Sequence, residues 1–354
     1  MSERDIKDND YSPEIMYSIS ELEKKVTDLS IAVSQLQKQI KSVDNRIILN
    51  NERDQLLLWQ LYRAGGENEK AAKIRFFKSL PQATGNLRKM QNTGFVLLRE
   101  FDKICRDNDI NYWLGFGTLL GAIRHGGFIP WDDDVDVCML RSDFDRLKLV
   151  MHDNEDFICY EIFGLHGPKR CVLNHGFKIR FKNIGTPCTL DIFIFDDSRE
   201  LTTQQVDTIN NLKSNMGIEA QNVSMNPGKD EQWNVRCRSD SKEFVECELI
   251  LKAFLDRYFE LLKNSSGKRK LIWAIDNLIL GWGNKRQIPY EYVFPLVNVK
   301  FEGHSFLSPR CPDDYLSIMY GDYLSIPDDM ISHKHFVISE RQQQEYEKIK
   351  QKFL

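Results

Sequence analysis

No stretch of the 354-residue sequence holds the run of roughly 20 apolar residues that a membrane-spanning helix requires, so no transmembrane helix is expected. The opening "MSERDIKDND" is polar and acidic and lacks an apolar h-region, which predicts no secretory signal peptide. Charge of one sign is missing too. Lys and Arg number 48 against 52 Asp and Glu, for a formal net charge of −4. A whole-molecule field that would attract nucleic acid is therefore absent, and no nucleic-acid partner is expected. The eight cysteines form no CxxC pair and no Cys/His group with zinc-finger spacing. Free thiols in a reducing cytoplasm are the expectation.

What is present is ordinary globular material, 42% hydrophobic and 28% charged, enough for a sizeable core in two or three domains. The cleanest pattern lies near the start. Ile15, Ile19, Leu22, Val26, Leu29, Val33, Leu36, Ile40, Val43 and Ile47 alternate in steps of four and three, with no Gly or Pro between them. Ile19, Val26, Val33, Ile40 and Ile47 then occupy a positions, all β-branched, and Leu22, Leu29 and Leu36 occupy d positions. That combination favours a parallel two-stranded coil, with a trimer as the alternative. A homo-oligomer formed through residues 14–62 is expected, after a frayed segment 1–13. "RAGGENEK" breaks the seam, and 63–86 reads as a linker helix. Residues 87–340 read as a catalytic domain of mixed helices and strands, with a helical insertion at about 199–265. Residues 341–354 read as a terminal helix. "KRKLIWAIDNLILGWGNKR" reads as an apolar helix with basic ends. A core helix is the simpler expectation. The alternative is peripheral contact at the inner face of a membrane, with Trp273 and Trp282 at headgroup level.

Chemistry concentrates in "GTLLGAIRHGGFIPWDDDVDV", Gly117 to Val137, where Asp132, Asp133, Asp134 and Asp136 fall within five positions. Read as a strand, Asp134-Val135-Asp136-Val137 puts the two acids on one face and the two valines on the other. Asp132 joins the acid face if the strand starts early, and Asp133 points away. Carboxylates packed this way repel unless a cation sits between them. A hard divalent ion, Mg²⁺ or Mn²⁺, fits, because it takes one or two carboxylates and leaves room for substrate phosphates. A lone acid on an apolar strand, Asp191 in "CTLDIFIF", supplies a third carboxylate if the strands are neighbours. Gly117 and Thr118 open a short helix whose backbone N–H groups suit a phosphate. Arg124 and His125, then Lys178, Arg180 and Lys182, supply cations for phosphate contacts. Trp131, directly before the acids, joins the candidate nucleotide-binding set. This is the layout of a nucleotidyltransferase-like α/β (α+β) fold, a mixed sheet flanked by helices, here preceded by the parallel coiled coil.

The same residues resemble the LicD family of phosphocholine-type transferases, which includes the fukutin and fukutin-related group. "YWLGFGTLLGAIRHGGFIPWDDDVDV" is close to that family's main signature. "KIRFKN", "DIFIFD", "VFPLVNVKFEGHSFLSP" and "YGDYLSIP" follow in family order. The resemblance spans roughly 87–340, apart from 199–265. It implies transfer of a phosphorylated alcohol from a CDP-activated donor to a hydroxyl of a glycan or lipid-linked glycan, with release of CMP. It makes Asp134 and Asp136 the metal pair, with Asp132 nearby, and Asp191 the third acid, as metal ligand or proton acceptor. Arg124 would hold a phosphate oxygen, and His333 and His335 would close over the site. Two alternatives stay open on the residues alone: a nucleotidyltransferase that releases pyrophosphate from an NTP, and a coiled-coil scaffold with an inactive catalytic fold.

Overall fold

The computed structural model describes residues 13–166, 172–182, 188–223, 235–238, 241–277, 287–327 and 339–353. A first unit ends at Ala72 and a second runs from Lys73 to Leu354. The first unit is dominated by α1, a continuous 50-residue helix over Pro13–Tyr62. Its seam is bare: Ile19, Leu22, Val26, Leu29, Val33, Leu36, Ile40 and Val43 are all exposed, from 38% at Ile19 to 65% at Val26. The a/d pattern is thus carried by an unbroken helix with its apolar stripe open to solvent. Helix α2 follows at Glu69–Ser79, shorter than the linker helix expected over 63–86.

The second unit opens with α3 (Gly85–Asp107). It buries Leu97, Leu98, Phe101 and Cys105, the three- and four-residue spacing of one helical face. Strand β1 (Trp113–Leu114) leads into α4 (Phe116–Arg124), β2 (Val135–Leu140) and α5 (Arg141–Met151). A hairpin follows, β3 (Phe157–His166) and β4 (Val172–Phe181), then β5 (Leu190–Arg199). Next come α6 (Thr203–Ala220), β6 (Val235–Arg238), α7 (Lys242–Lys263) and β7 (Arg269–Trp273). A 3₁₀ turn at Ile275–Asn277 precedes β8 (Ile288–Pro289) and α8 (Tyr290–Val293). The chain ends with the hairpin β9 (Val297–Phe301) and β10 (His304–Ser308), then α9 (Pro312–Tyr320) and α10 (Glu340–Phe353).

The main sheet runs β1-β2-β5-β4-β3-β6, with β7 also paired to β5 and β8 to β7. Only β2 and β5 are parallel, so the sheet is mixed. Strand β2 is buried from Val135 to Met139, as a central parallel strand should be. In β4 the alternation is plain: Phe177 and Ile179 are buried while Gly176 and Lys178 are half-open. The covered face of β3 and β4 packs on α6 and α7 through Phe163, Leu165, Leu173, Ile209, Leu212 and Phe254. Helix α6 starts on a capping box of Thr202 and Gln205, and α7 on a Ser241 cap.

Two expectations are corrected here. Residues 269–273 are strand β7, not a helix. A run such as Lys270–Trp273 is too short for periodicity to separate strand from helix. Trp273 is buried near Phe195 and Phe116 in the core, so it is not an interfacial anchor. Trp282, Lys285 and Arg286 lie outside the described residues. Within 199–265 the helices α6 and α7 are joined by β6, which adds a strand beside β3.

Beneath α6 and α7 lies a buried ionic network. Arg141 grips Asp196 with two hydrogen bonds of 2.7 and 2.9 Å and reaches Asp276 at 2.5 Å. Tyr258 donates to Asp196 at 2.8 Å, and His175 lies 2.8 Å from Glu161. Lys213 donates to the carbonyls of Ile275 and Asp276, and burial lowers its ammonium to about 7. Tyr258 and Lys213 come from α7 and α6. The inserted segment therefore helps complete the polar core under the sheet. No described helix is long and apolar enough to cross a membrane. Cys105, Cys138, Cys159, Cys188, Cys247 and Cys311 are free.

Candidate active site

Asp136 on β2 sits opposite Asp191 in the parallel ladder with β5, and Asp191 sits opposite Lys178 on β4. Residues in register share a face, so all three stand on the open side of the sheet. Lys178 is ion-paired with Asp191, and Thr189 donates to the other Asp191 oxygen at 2.9 Å. Asp132, Asp133 and Asp134 precede β2, which begins at Val135. One carboxylate oxygen from each of the three lies within 4.8 Å of the others. Asp133 therefore turns toward its neighbours, contrary to the strict alternation expected of it, because the chain there is not yet a strand.

The acid loop is held in place from behind. Gln91 of α3 donates to the carbonyls of Ile129 and Asp132 at 3.2 and 2.8 Å. Glu302 accepts from the Phe128 N–H at 3.1 Å and is itself gripped by Arg88. Thr118, fully buried, accepts the N–H of Asp136 on its hydroxyl at 2.8 Å. Through this bond its side chain fixes the start of the acid strand, so Thr118 is a positioning residue. A Cβ at Gly117 would fall 2.5 Å from Asp132 Oδ2, so only glycine lets the helix come this close to the carboxylate. Phe116, the first residue of α4, adopts φ +39°, a left-handed conformation that a large side chain rarely takes. Its ring is held by Phe193 and Trp273 at 4.3 and 5.3 Å.

A cleft of about 440 Å³ lies over these residues. Asp132, Asp134 and Asp136 line one side and Gly117, Arg124 and Trp131 another; Tyr320, Asp322, Tyr323 and Ser325 close it from the C-terminal part of the chain. Arg124 donates to the Tyr323 carbonyl at 3.1 Å and lies 4.3 Å from the Phe77 ring centroid. Burial lowers its guanidinium to about 10, which leaves it cationic at neutral pH.

The acids themselves are under strain. Burial, then the Asp134 carboxylate, pushes the Asp132 carboxyl well above its ordinary range. Burial raises Asp136 in the same way, with Asp134, Asp191 and Asp132 adding to it and Lys178 opposing. A divalent cation among these oxygens would reverse that penalty, and the all-oxygen donor set suits a hard ion. The residues fit such an ion.

Comparison with known proteins bears on this same segment. Residues 109–227 match the family model described as LicD/FKTN/FKRP, nucleotidyltransferase domain. The lipopolysaccharide cholinephosphotransferase LicD of Haemophilus influenzae is 27% identical over 275 residues, covering 71% of this chain and 96% of that protein. The human ribitol 5-phosphate transferase FKRP is 56% identical over 34 residues, 10% of this chain and 7% of its own length. The chain is thus similar to LicD proteins, and to their nucleotidyltransferase domain over residues 109–227.

Within this segment the structure gathers Gly117, Arg124, Trp131, Asp132, Asp134 and Asp136 around one cleft, with Asp191 and Lys178 at its edge on the neighbouring strands. His125 is turned away. It lines a separate cavity with Phe77 and Phe128, and burial, then Arg124, lowers its imidazole to about 3. Arg180 shares the face of Lys178 but is exposed, 5.3 Å from the Tyr160 ring centroid, and Lys182 donates to the Asn154 carbonyl. His333 and His335 lie outside the described residues. Phe116 and the residues Tyr320–Ser325 were not singled out as site residues from the sequence. The block "YGDYLSIP" is the sequence signal for the latter, since it follows the other blocks in LicD order.

Proposed function

We propose that this chain transfers a phosphorylated alcohol, of the phosphocholine, glycerol-phosphate or ribitol-phosphate type, from a CDP-linked donor to a hydroxyl of a glycan. The observation that carries this reading is the convergence of Asp132, Asp134 and Asp136 with Arg124 in one cleft, in the segment that matches the LicD nucleotidyltransferase domain. The names of the Haemophilus and human relatives, a cholinephosphotransferase and a ribitol 5-phosphate transferase, favour the same reaction class.

Asp134 and Asp136, with Asp132, would hold Mg²⁺ or Mn²⁺, whose charge would neutralise the diphosphate and the departing CMP. Arg124 binds a phosphate oxygen from the buried side of the cleft. Trp131 and Tyr320 offer ring faces to the cytosine base. The acceptor hydroxyl oxygen forms a new bond to the phosphorus that carries the alcohol, and the P–O bond to CMP breaks. The hydroxyl proton passes to Asp191, and Lys178 holds that carboxylate in place. The acceptor is a cell-surface polysaccharide or lipid-linked glycan in this reading. The free cysteines favour a cytoplasmic setting.

The bare seam of α1 favours self-association. Two copies in parallel would bury the β-branched a and leucine d positions against each other. Incubating the protein with CDP-choline, CDP-glycerol or CDP-ribitol and Mg²⁺ tests the chemistry. CMP is the expected nucleotide product. Pyrophosphate released from CTP or another NTP, with no CMP from any CDP-alcohol, would replace this reading with nucleotidyl transfer.

A further inference from the structure

Strands β4 and β5 part company beside the active site. Their ladder runs from Ile179↔Leu190 to Phe177↔Ile192 and then stops, because β5 turns to pair with β7 from Phe195↔Trp273 onward. Asn277 fills the fork. Its side-chain oxygen accepts the Ile194 N–H at 3.1 Å, and its amide donates to the His175 carbonyl at 2.8 Å. The backbone groups left by the parting strands are thereby paired, and the open face above the fork becomes a groove of about 200 Å³.

This groove and the main cleft flank the same carboxylates. Asp136 lines the cleft, Asp191 lines the groove, and the two are neighbours in register. Phe193 lines the groove with one side and meets Phe116, a wall of the cleft, with its ring. Phosphoryl transfer brings the attacking and leaving oxygens roughly in line on opposite sides of phosphorus. A donor in the cleft therefore needs an acceptor arriving from the Asp191 side.

We infer that the groove between β3, β4 and the β4–β5 fork is the acceptor subsite, and that it takes an uncharged, hydroxyl-bearing sugar ring. The inference rests on the transfer reaction proposed above. Three features set the chemistry. The groove is smaller than the roughly 300–1,000 Å³ of pockets for drug-sized ligands, so it suits one sugar ring and excludes a nucleotide. Its charged lining residues among those described are Lys178 and Asp191, which neutralise each other and leave nothing for a phosphate or a quaternary ammonium. The floor is Gly164 and Gly176, with Ile162 and Phe193 as apolar walls and the Asn174 amide as a polar group at one end. Flat apolar floor plus a few orienting polar groups is the usual build of a site for a neutral ligand.

The test uses the full chain with isotope-labelled isoleucine methyl groups. Ile129 lines the cleft and Ile162 lines the groove, so each reports on one site. Methyl glucoside and methyl galactoside, titrated separately, are expected to shift the Ile162 signal and leave Ile129 in place. CDP-choline with Mg²⁺ is expected to do the reverse. Gly176→Val should abolish the glycoside response and spare the CDP-choline response. A Cβ at Gly176 meets only ordinary contacts, at 3.8 and 3.9 Å, so the extra methyls fill the groove without disturbing the sheet. If neither glycoside moves Ile162, or if CDP-choline moves it, the acceptor assignment is wrong. If glycosides move Ile162 but CDP-choline leaves Ile129 unmoved, the groove stands and the donor reading fails.

Discussion

Replacing Arg141 with Met should be among the most destabilising changes in the second unit. The guanidinium is the cation shared by Asp196 and Asp276, whose side chains are 6% and 3% exposed. Removing one partner of a buried pair leaves charge without compensation and costs about 3–5 kcal/mol. Arg141 keeps 22% exposure, so water can partly replace it and the lower end applies, about 3 kcal/mol. At about 2–4 °C per kcal/mol for domains of 150–250 residues, the expected fall in Tm is roughly 6–12 °C. The loss should also depend on pH. Burial alone would raise Asp276, but the neighbouring His175, 3.9 Å away, and the Arg141 guanidinium outweigh it and hold the carboxyl below 3.8. Asp276 in the native protein therefore contributes stability above that pH, lost as pH falls through its depressed value. Without Arg141, Asp196 and Asp276 become buried acids that favour the protonated form, so the variant regains stability as pH falls. The gap between the two proteins should be widest at neutral pH and narrow toward acid. Denaturant unfolding at several pH values measures it. Arg141→Met/Asp196→Asn should recover part of the loss. A deficit below about 1 kcal/mol, the scale of a surface pair, or one that does not change with pH, would refute the argument.

His175 gives a second pH signature. Burial opposes its protonation, but the facing Asp276 and Glu161 carboxylates, 3.9 and 2.8 Å away, prevail and raise it above 6.5. Its contribution is full below 6.5 and fades as pH rises through the raised value, so His175→Asn should flatten the alkaline fall of the unfolding free energy. Gly117→Ala should cut turnover by roughly 100-fold, because its Cβ displaces Asp132 and a displacement of about 1 Å near the chemistry costs that much; circular dichroism should show the fold intact. Val26→Asp or Leu29→Asp on the exposed seam should convert a dimer to a monomer by light scattering, whereas an unchanged mass would retire the coiled-coil proposal.

Much of the site could be read in the sequence because its pattern is local. Alternation into "DVDV" marked Asp134 and Asp136, and the apolar neighbours of Asp191 made that acid conspicuous. The pairing of β2 with β5 that brings Asp136 beside Asp191 needed the fold. The heptad spacing names the a and d residues of α1, and in the structure they form an exposed stripe. Strand β7 reads as a helix in the sequence because a short apolar run carries no usable period. The partners of Arg141 are 55 and 135 residues away, and no spacing rule reaches that far. His125 leaves the cleft for a different reason. Its neighbour Arg124 faces the cleft, and on a helix adjacent residues point about 100° apart.

The most direct test of the central claim is CMP release from a CDP-alcohol by the native protein and by Asp136→Asn, with Mg²⁺ present and with the metal chelated. Asn keeps the volume and loses the charge, so the fold should survive, since burial and the neighbouring acids already disfavour the ionised form. The account predicts metal-dependent CMP release by the native protein and none above background from the variant or after chelation. An Asp136→Asn protein that releases CMP at the native rate would contradict it.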